Sequence, residues 1–439
     1  MGDMGQLGLG EDVMEAPVPR GLPVLKTVRK VACGGMHTIC LAGGTLWSWG
    51  VNDEGALGRH AKTQNTQLLA SQGVAAAAGV PEGVPGMVEL PAGHIPVAIS
   101  AGDSHAICVS RQGAAFQWGT FRNAGGPFGM GSGPKKIVQA PEKAFPPAAG
   151  ADAAERAVGV ASGCDHVLLR TASGRVFSWG CAERGRLGRM AEALADLKEI
   201  PDAVKREQLT PAPVPGLPAA GATDVFCGFL CSFVLAADGR EAYGFGLNNY
   251  GQLSLPVSPD ANATNAYYTP ERLTHLETRA GGALLQVAGG EHHSLFLCEG
   301  GQVLSVGRTT YGRLGRSDVD VAACVEADLG LVEGLPSGVT SVAAGMAVSA
   351  CIGAAGELFT WGYGGVGQLC TKGDDDAPLP ARVAGKARAL AGRHVHQVSF
   401  GGQHGALVTV PAGQAASGAG RALDALDRQA GAPSAKRRR

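Results

Sequence analysis

Short apolar segments of four to eight residues, rich in Val, Ile, Leu, Phe and Trp, recur along the 439-residue chain between glycine-rich or polar turns. Segments of this length and composition are typical of β-strands. Residues 31–59 hold one complete copy of the pattern: an apolar run, Gly-Gly-x-His, a second run, a small turn, a third run ending in Trp-Gly, and a polar turn ending in Leu-Gly-Arg. The pattern predicts an all-β protein built from internal repeats.

The repeats can be followed along the whole chain. Glycine-rich segments lie at 33–37, 101–105, 162–166, 227–231, 289–293, 344–348 and 401–404. Strand-like segments that end in glycine lie at 46–50, 115–119, 176–180, 242–246, 303–307 and 358–362. A repeat of roughly 60 residues has room for about four short strands, and four-stranded units that stack radially form a β-propeller. The seven glycine-rich segments therefore predict an all-β, seven-bladed β-propeller.

The last predicted blade lacks one strand in this sequence. The seven glycine-rich segments are matched by only six strands ending in glycine, and residues 4–10 already match the turn that closes a repeat. The missing strand should therefore precede residue 2. An open sheet edge invites unwanted pairing, so we expect the sequence to belong to a longer chain. We assign residues 1–410 to the propeller and 411–439 to a flexible tail that ends in a basic cluster.

Composition narrows the range of functions. A formal net charge of −1 favours neither nucleic acid nor membrane as a partner. Many of the 11 cysteines lie inside apolar runs, without the C-x-x-C spacing of zinc sites, which indicates free thiols in a reducing compartment. The histidines lie in different repeats, and no phosphate-binding Gly-x-x-x-x-Gly-Lys-Ser/Thr motif occurs. We therefore expect no covalent chemistry, no metal, no cofactor and no membrane partner.

Two features leave alternatives open. The histidine after the glycine-rich turn is either a buried side chain that hydrogen-bonds one loop to another or a binding residue at one end of the ring, and the structural role is favoured for any single copy. In the second repeat, a glycine-rich insertion at 120–136 replaces the closing turn. This insertion is either a protruding hairpin or an ordinary tolerated loop.

Longer motifs suggest a family. The segments concerned are GQLGLGEDVME (5–15), GGMHTICL (34–41), NDEGALGR (52–59), AGDSHA (101–106), WGTFRNAGG (118–126), DHVLLRTASG (165–174), YGFGLNNYGQL (243–253) and YGRLG (311–315). Together they resemble the regulator-of-chromosome-condensation family, in order and across all seven repeats. Generic members of the superfamily share only the glycine and Trp-Gly skeleton, whereas NDEGALGR, FRNAGG and YGFGLNNYGQL are more specific. The resemblance implies a seven-bladed propeller, in agreement with the repeats.

The resemblance also implies a function. Members of this family are guanine-nucleotide exchange factors of the small GTPase Ran, and they act without covalent chemistry. They dock one propeller face on the nucleotide-binding region and press a hairpin, the wedge, against the phosphate-binding loop. A partner that binds the nucleotide-free state more tightly than the loaded state lowers nucleotide affinity by linkage.

The resemblance implies site residues as well. The residues that would bind the GTPase are Asp3, His37, Asp103, Asp165, Arg189, His292 and His404. The wedge would consist of Phe121, Arg122, Asn123, Ala124, Gly125, Gly126, Pro127 and Phe128. Its tip departs from the more polar family pattern, which affects its side chains but not its backbone shape. We expect Asp103, Asp165 and His292 to contribute most to binding.

Chromatin is the second partner that the resemblance implies, with a nuclear location and contacts to histones, the nucleosome and DNA. We expect the basic N-terminal tail of the family to be missing from this sequence. The remaining candidates for this contact are Lys205, Arg206, Lys436, Arg437, Arg438 and Arg439. We expect a monomer. The alternative function is a non-catalytic propeller that serves as an interaction module or scaffold.

Overall fold

The computed structural model describes residues 2–59, 80–131, 133, 136–145, 153–260, 263–323, 326–371, 373–383 and 388–412. Within these ranges the strands form six four-stranded antiparallel sheets, one two-stranded sheet and one separate hairpin. Neighbouring sheets pack face to face around a ring. The predicted all-β propeller is confirmed, with six four-stranded blades. Residues 413–439, which hold most of the predicted tail, lie outside the described ranges.

The blades are numbered in chain order. Blade 1 has β1 (Val28–Cys33), β2 (His37–Ala42), β3 (Thr45–Gly50) and β4 (Gly86–Val88). Blade 2 has β5 (Pro96–Ala101), β6 (His105–Ser110), β7 (Ala115–Gly119) and β10 (Val138–Phe145), with the hairpin β8 (Phe121–Asn123) and β9 (Gly126–Gly129) before β10. Blade 3 has β11 (Ala157–Ser162), β12 (His166–Thr171), β13 (Val176–Gly180) and β14 (Ala212–Pro213).

Blade 4 has β15 (Ala222–Cys227), β16 (Cys231–Ala236), β17 (Glu241–Leu247) and β18 (Ala266–Arg272). Blade 5 has β19 (Leu284–Gly289), β20 (His293–Cys298), β21 (Val303–Arg308) and β22 (Glu326–Leu331). Blade 6 has β23 (Ser341–Ala344), β24 (Val348–Ile352), β25 (Leu358–Gly362) and β26 (Ala377–Arg382). The two-stranded sheet has β27 (Arg393–Phe400) and β28 (Gly405–Pro411). The described α-helices are α1 (Glu192–Ala195), α2 (Asp202–Leu209) and α3 (Thr274–Ala280).

The second strand is among the most buried elements of each blade. Every residue of β2, β6, β16 and β20 is buried. A neighbouring blade covers each face of such a strand, so its sequence is a continuous apolar run rather than an alternating one. This is why the repeats are visible as short apolar segments in the sequence.

Tryptophan side chains join neighbouring blades. Trp49 Nε1 donates to the carbonyl oxygen of Gln6 at 3.0 Å, and Trp118 Nε1 donates to that of Ala56 at 2.8 Å. Trp361 Nε1 donates to the carbonyl oxygen of Arg313 at 3.0 Å. Each acceptor lies in the polar turn that closes the preceding repeat. The Trp-Gly and closing-turn motifs of the sequence therefore meet across blade junctions, because a buried indole N–H needs an acceptor.

The histidines after the glycine-rich turns also bridge blades. The Nε2–Oγ distance is 2.9 Å between His166 and Ser232 and 2.8 Å between His293 and Ser349. His404 makes the same contact with Thr38, at 2.8 Å between Nε2 and Oγ1. Burial lowers the pKa of the His404 imidazole to about 3, so it stays neutral near pH 7. At all three junctions the histidine therefore has the structural role that the sequence favoured, because its side chain is buried and bonds one blade to the next.

Backbone hydrogen bonds join the tips of six of the seven glycine-rich turns, and we call this row of tips the collar. The N–H groups donate from one tip to the next: Gly402 to Gly35, Gly35 to Gly102, Asp103 to Cys164, Cys164 to Phe229 and Phe229 to Gly290. The first glycine of each turn leaves room for this approach. A Cβ on Gly102 would lie 2.1 Å from Cε1 of His105 and 2.5 Å from the oxygen of Gly163.

The two-stranded sheet lies between blade 6 and blade 1. The Gln397 side chain of β27 imitates a peptide group: its Oε1 accepts from Val31 N–H at 3.0 Å and its Nε2 donates to the oxygen of Val31 at 3.0 Å. Gln286 makes the same pair of bonds with Val342 between blades 5 and 6. The two-stranded sheet thus lies at the position where the sequence predicts a seventh blade. A complete seventh blade stays a prediction.

Antiparallel order places two sets of loops at one end of the ring. In each four-stranded blade, the turn between the first two strands and the connection after the third strand lie at the same end of the strands. We call this end the loop face. It carries the collar, the closing turns and the hairpin β8–β9.

We predict that acid destabilises the fold through the inter-blade histidines. Burial lowers the pKa of His37 to about 4 and that of His105 to about 3, and lowers the pKa of His166 well below 6.5. The unfolded chain therefore binds more protons below pH 6.5, and stability falls as pH drops towards the folded-state values. Urea denaturation at pH 7.5, 6.0 and 5.0 measures this slope.

His166→Gln keeps a polar group near Ser232 but cannot titrate, so it should make the slope shallower by up to about 1.4 kcal/mol per pH unit. The matched control is His275→Gln, because His275 is exposed in α3; it should leave the slope unchanged. Equal slopes in wild type and His166→Gln would contradict the prediction.

Candidate functional site

The insertion in blade 2 forms the hairpin β8–β9 on the loop face. Gly125 N–H donates to Oδ1 of Asn123 at 3.0 Å, and Asn123 pairs with Gly126, whose φ is +100°. This turn suits glycine, because positive φ costs other residues strain. Ala124, Gly125 and Pro127 at the tip are exposed. Of the two alternatives for this insertion, the structure has the hairpin.

Two buried phenylalanines root the hairpin in the propeller. Phe121 is fully buried and its ring centre lies 4.6 Å from that of His105 in β6. Phe128 is buried, and the Lys205 ammonium of α2 lies 5.1 Å from its ring centre. The base of the hairpin is therefore part of the core, while its tip faces solvent.

Charged groups from three blades converge on Arg122 at the start of the hairpin. The backbone N–H of Arg122 donates to Oδ1 of Asp165 at 2.7 Å. The Arg122 guanidinium forms a salt bridge with Glu54, which belongs to the closing turn of blade 1. Oδ2 of Asp165 faces the guanidinium of Arg186 at 4.0 Å, and Arg186 is buried.

Asp103 lies beside this group, since its N–H donates to the oxygen of Cys164 at 2.8 Å. Burial raises the pKa of Asp165 to about 7, with Arg186 opposing and Asp103 reinforcing the rise. The pKa of Asp103 is also raised, because nearby protein displaces water from its carboxyl even though the residue is exposed at the surface. The Asp103 and Asp165 carboxyl groups, the Arg122 and Arg186 guanidiniums and the hairpin therefore form one charged site.

A second group of side chains lies on blades 4 and 5. The rings of Tyr250 and His292 are 5.0 Å apart, and the guanidinium of Arg308 lies 5.1 Å from the Tyr250 ring centre. His292 is half-buried, and burial lowers its pKa to about 4. At pH 7 it is a neutral imidazole that can donate one hydrogen bond and accept another.

The remaining predicted residues lie elsewhere. His37 and His404 are buried within the collar, so in this structure their side chains support the face from inside. Arg189 Nη2 donates to the carbonyl oxygens of Glu207, Gln208 and Thr210, as Arg59 in blade 1 donates to those of Val80, Pro81 and Val84. This arginine therefore ties a closing turn to its own blade. Asp3 is exposed and accepts from Gln6 Nε2 at 3.2 Å.

Sequence reasoning missed Arg186 and Glu54. Arg186 occupies the same place in RGRLGR as Arg313 in YGRLGR, and comparing these two closing turns could have singled it out. Glu54 lies within the family-specific segment NDEGALGR, but no local feature shows that it meets Arg122, a residue 68 positions away.

The predicted chromatin residues differ in environment. Arg206 is exposed on α2 between Asp202 and the exposed Glu207, while Lys205 is partly covered where it meets Phe128. The cluster Lys436, Arg437, Arg438 and Arg439 lies outside the described residues. These assignments stay predictions.

The described part of the chain shows neither a metal-binding cluster nor a membrane-spanning helix. There, no group of three or more His, Cys, Asp or Glu side chains is placed to hold a metal ion. Among the helices described above, none has the length and apolar character needed to cross a bilayer.

Known proteins match this chain along most of its length. The model of the RCC1-like domain family matches residues 1–407. The regulator of chromosome condensation of Mus musculus is 36% identical over 417 residues, which cover 93% of this chain and 88% of the mouse protein. The guanine nucleotide exchange factor SRM1 of Saccharomyces cerevisiae is 28% identical over 92% of this chain and 84% of its own.

The fold has a close match among solved structures. The crystal structure of Prp20p from Saccharomyces cerevisiae, a protein described with its binding properties to Gsp1p and histones, superposes with a TM-score of 0.75. The match covers 95% of this chain and 92% of Prp20p, at 27% sequence identity.

We predict that Asp165 lowers stability as pH rises. Its carboxyl keeps a proton up to about pH 7 in the folded protein but releases it near 3.8 when unfolded. Its contribution is therefore present below about pH 3.8 and is lost as pH rises to 7. Asp165→Asn cannot titrate and still offers an oxygen to Arg122. Its stability relative to wild type should rise by up to about 1.4 kcal/mol per unit between pH 5 and 7.

Urea unfolding of both proteins at pH 5.0, 6.0, 7.0 and 8.0 measures this difference. A difference that stays constant across the series would show that Asp165 has an ordinary pKa.

Proposed function

Because this chain belongs to the RCC1-like family of the regulator of chromosome condensation, we propose that it is a guanine-nucleotide exchange factor for the small GTPase Ran. Relatives carry the names regulator of chromosome condensation and guanine nucleotide exchange factor. Prp20p is described with binding properties to Gsp1p. The observation that carries the proposal is the exposed hairpin flanked by Asp103 and Asp165 on the loop face.

In this mechanism the propeller binds around the nucleotide site of the GTPase and competes with the bound nucleotide. A small GTPase holds its nucleotide mainly through the phosphates, which a glycine-rich loop, its lysine and Mg²⁺ bind. When the phosphates leave, this loop keeps uncompensated positive potential. The hairpin and the exposed Asp103 carboxyl beside it stabilise that empty state, and by linkage they lower the affinity for GDP and GTP alike. No bond of the nucleotide is broken.

The side chains divide into two roles in this proposal. Asp103, Asp3 and His292 are partly or fully exposed on the loop face, and they contact the GTPase. His37, His404 and Arg189 are tied into the blades and keep the face rigid. The hairpin from Phe121 to Phe128 acts as the wedge, with only its tip from Asn123 to Pro127 reaching the partner. The sheet β27–β28 is the inner half of a seventh blade.

Chromatin is the proposed place of action. Prp20p is described with binding properties to histones as well. The exposed Arg206 on α2 and the basic cluster at 436–439 are the groups that meet acidic histone surface or DNA phosphate. The protein then acts in the nucleus, as a monomer, where it produces GTP-loaded Ran near chromosomes.

We predict that this protein accelerates release of fluorescent GDP from purified Ran. Replacing residues 123–126 by Asn-Gly shortens the hairpin without touching its buried base, and should lower kcat while KM changes little. Asp103→Asn removes one exposed charge and should reduce kcat/KM about tenfold to a hundredfold, the range for a charged hydrogen bond. Stopped-flow fluorescence over a range of exchange-factor concentrations separates kcat from KM.

Unchanged urea midpoints in both variants are the control for folding. If the folded wild-type protein fails to accelerate release, the interaction-module function takes first place.

A further inference from the structure

We propose that Glu54 and Asp165 are positioning residues that hold the hairpin β8–β9 at a fixed angle from two neighbouring blades. This inference rests on the proposed exchange function, in which the hairpin reaches the nucleotide site. The two carboxyl groups act through Arg122, Glu54 on its guanidinium and Asp165 on its backbone N–H. They need not touch the GTPase.

The hairpin needs such support because it belongs to no blade. Within the described chain, β8 pairs only with β9, and the pair forms a sheet of its own. An isolated two-stranded hairpin is marginally stable in water. Phe121 and Phe128 anchor its base in the core, but two apolar contacts at the root do not prevent the tip from swinging.

Glu54 holds the hairpin from the side of blade 1, and it stands on a rigid turn. Asn52 crosses this turn: its Oδ1 accepts from Leu57 N–H at 3.1 Å and its Nδ2 donates to the oxygen of Arg59 at 3.3 Å. Ser48 Oγ donates to the oxygen of Leu57 at 2.7 Å. The Glu54 side chain is 19% exposed and that of Arg122 41% exposed, so water screens the pair only in part.

Asp165 holds the hairpin from the side of blade 3. Its Oδ1 accepts the Arg122 N–H at 2.7 Å, next to the point where the chain leaves β7 for β8. Its position is set in turn by Arg186, which is buried and whose Nε donates to the oxygen of Glu183 at 2.8 Å. One residue of the hairpin is thus attached to two blades, which restrains both its tilt and its rotation.

The competing explanation is that Glu54 contacts the GTPase directly. A double-mutant cycle distinguishes the two explanations. If Glu54 acts only through Arg122, replacing Glu54 has no further effect on exchange once the Arg122 guanidinium has been removed. The cycle consists of wild type, Glu54→Gln, Arg122→Gln and the double variant. Asp53→Asn is the matched control, since Asp53 lies exposed in the same turn and loses the same charge.

For nucleotide exchange on Ran, we expect each single variant to lower kcat about threefold to tenfold, with KM within about twofold of wild type. The double variant should be no worse than the poorer single variant, and Asp53→Asn should match wild type. Effects of Glu54→Gln and Arg122→Gln that multiply in the double variant would overturn the positioning role of Glu54.

Hydrogen–deuterium exchange tests the same proposal without any GTPase. Amide protection across residues 121–129 should fall at least threefold in Glu54→Gln and in Asp165→Ala, with protection of β6 unchanged. Asp165→Asn, which keeps an acceptor oxygen for Arg122, should preserve protection better than Asp165→Ala. Unaltered protection in both Glu54→Gln and Asp165→Ala would overturn the proposal, whether or not the protein proves to be an exchange factor.

Discussion

The hydrogen bonds that leave one blade and end in the next are the constraint on which the rest of this structure depends. A four-stranded blade is apolar on both faces and is stable only between neighbours. Apolar contacts supply most of the burial but fix no angle, because they are not directional. The bonds from Trp118 Nε1 to Ala56 and from His166 to Ser232 add the direction. The loop face inherits this rigidity through the backbone collar.

The candidate site arises where the repeat is interrupted. Blade 2 has the hairpin in place of the closing turn that elsewhere supplies an acceptor to the next tryptophan. The junction survives because Trp179 Nε1 donates instead to Oε1 of Gln117 at 2.8 Å. The side-chain amide of Gln117 therefore replaces the backbone carbonyl of a closing turn as the acceptor. The chain after β7 can then form the hairpin.

The charges around the hairpin are better understood as a means of orientation than as a source of stability. Removing Asp165 and Arg186 from water costs free energy that their mutual attraction only partly returns. The raised pKa of Asp165 expresses this cost. What the charges provide is a defined direction for Arg122, held between Glu54 and Asp165. A rigid hairpin loses less entropy on docking than a mobile one.

The sequence by itself determined the all-β propeller, its repeat boundaries and the place of the hairpin, because periodic glycines, tryptophans and apolar runs report local geometry that every blade repeats. It marked His37, His404 and Arg189 as polar residues near one end of the ring, but not which way their side chains point. Only the tertiary structure decided this, since the partners come from distant parts of the chain, as Thr38 does for His404. The salt bridge between Glu54 and Arg122 could not be predicted from the sequence for the same reason, because it forms only when the ring brings two blades together.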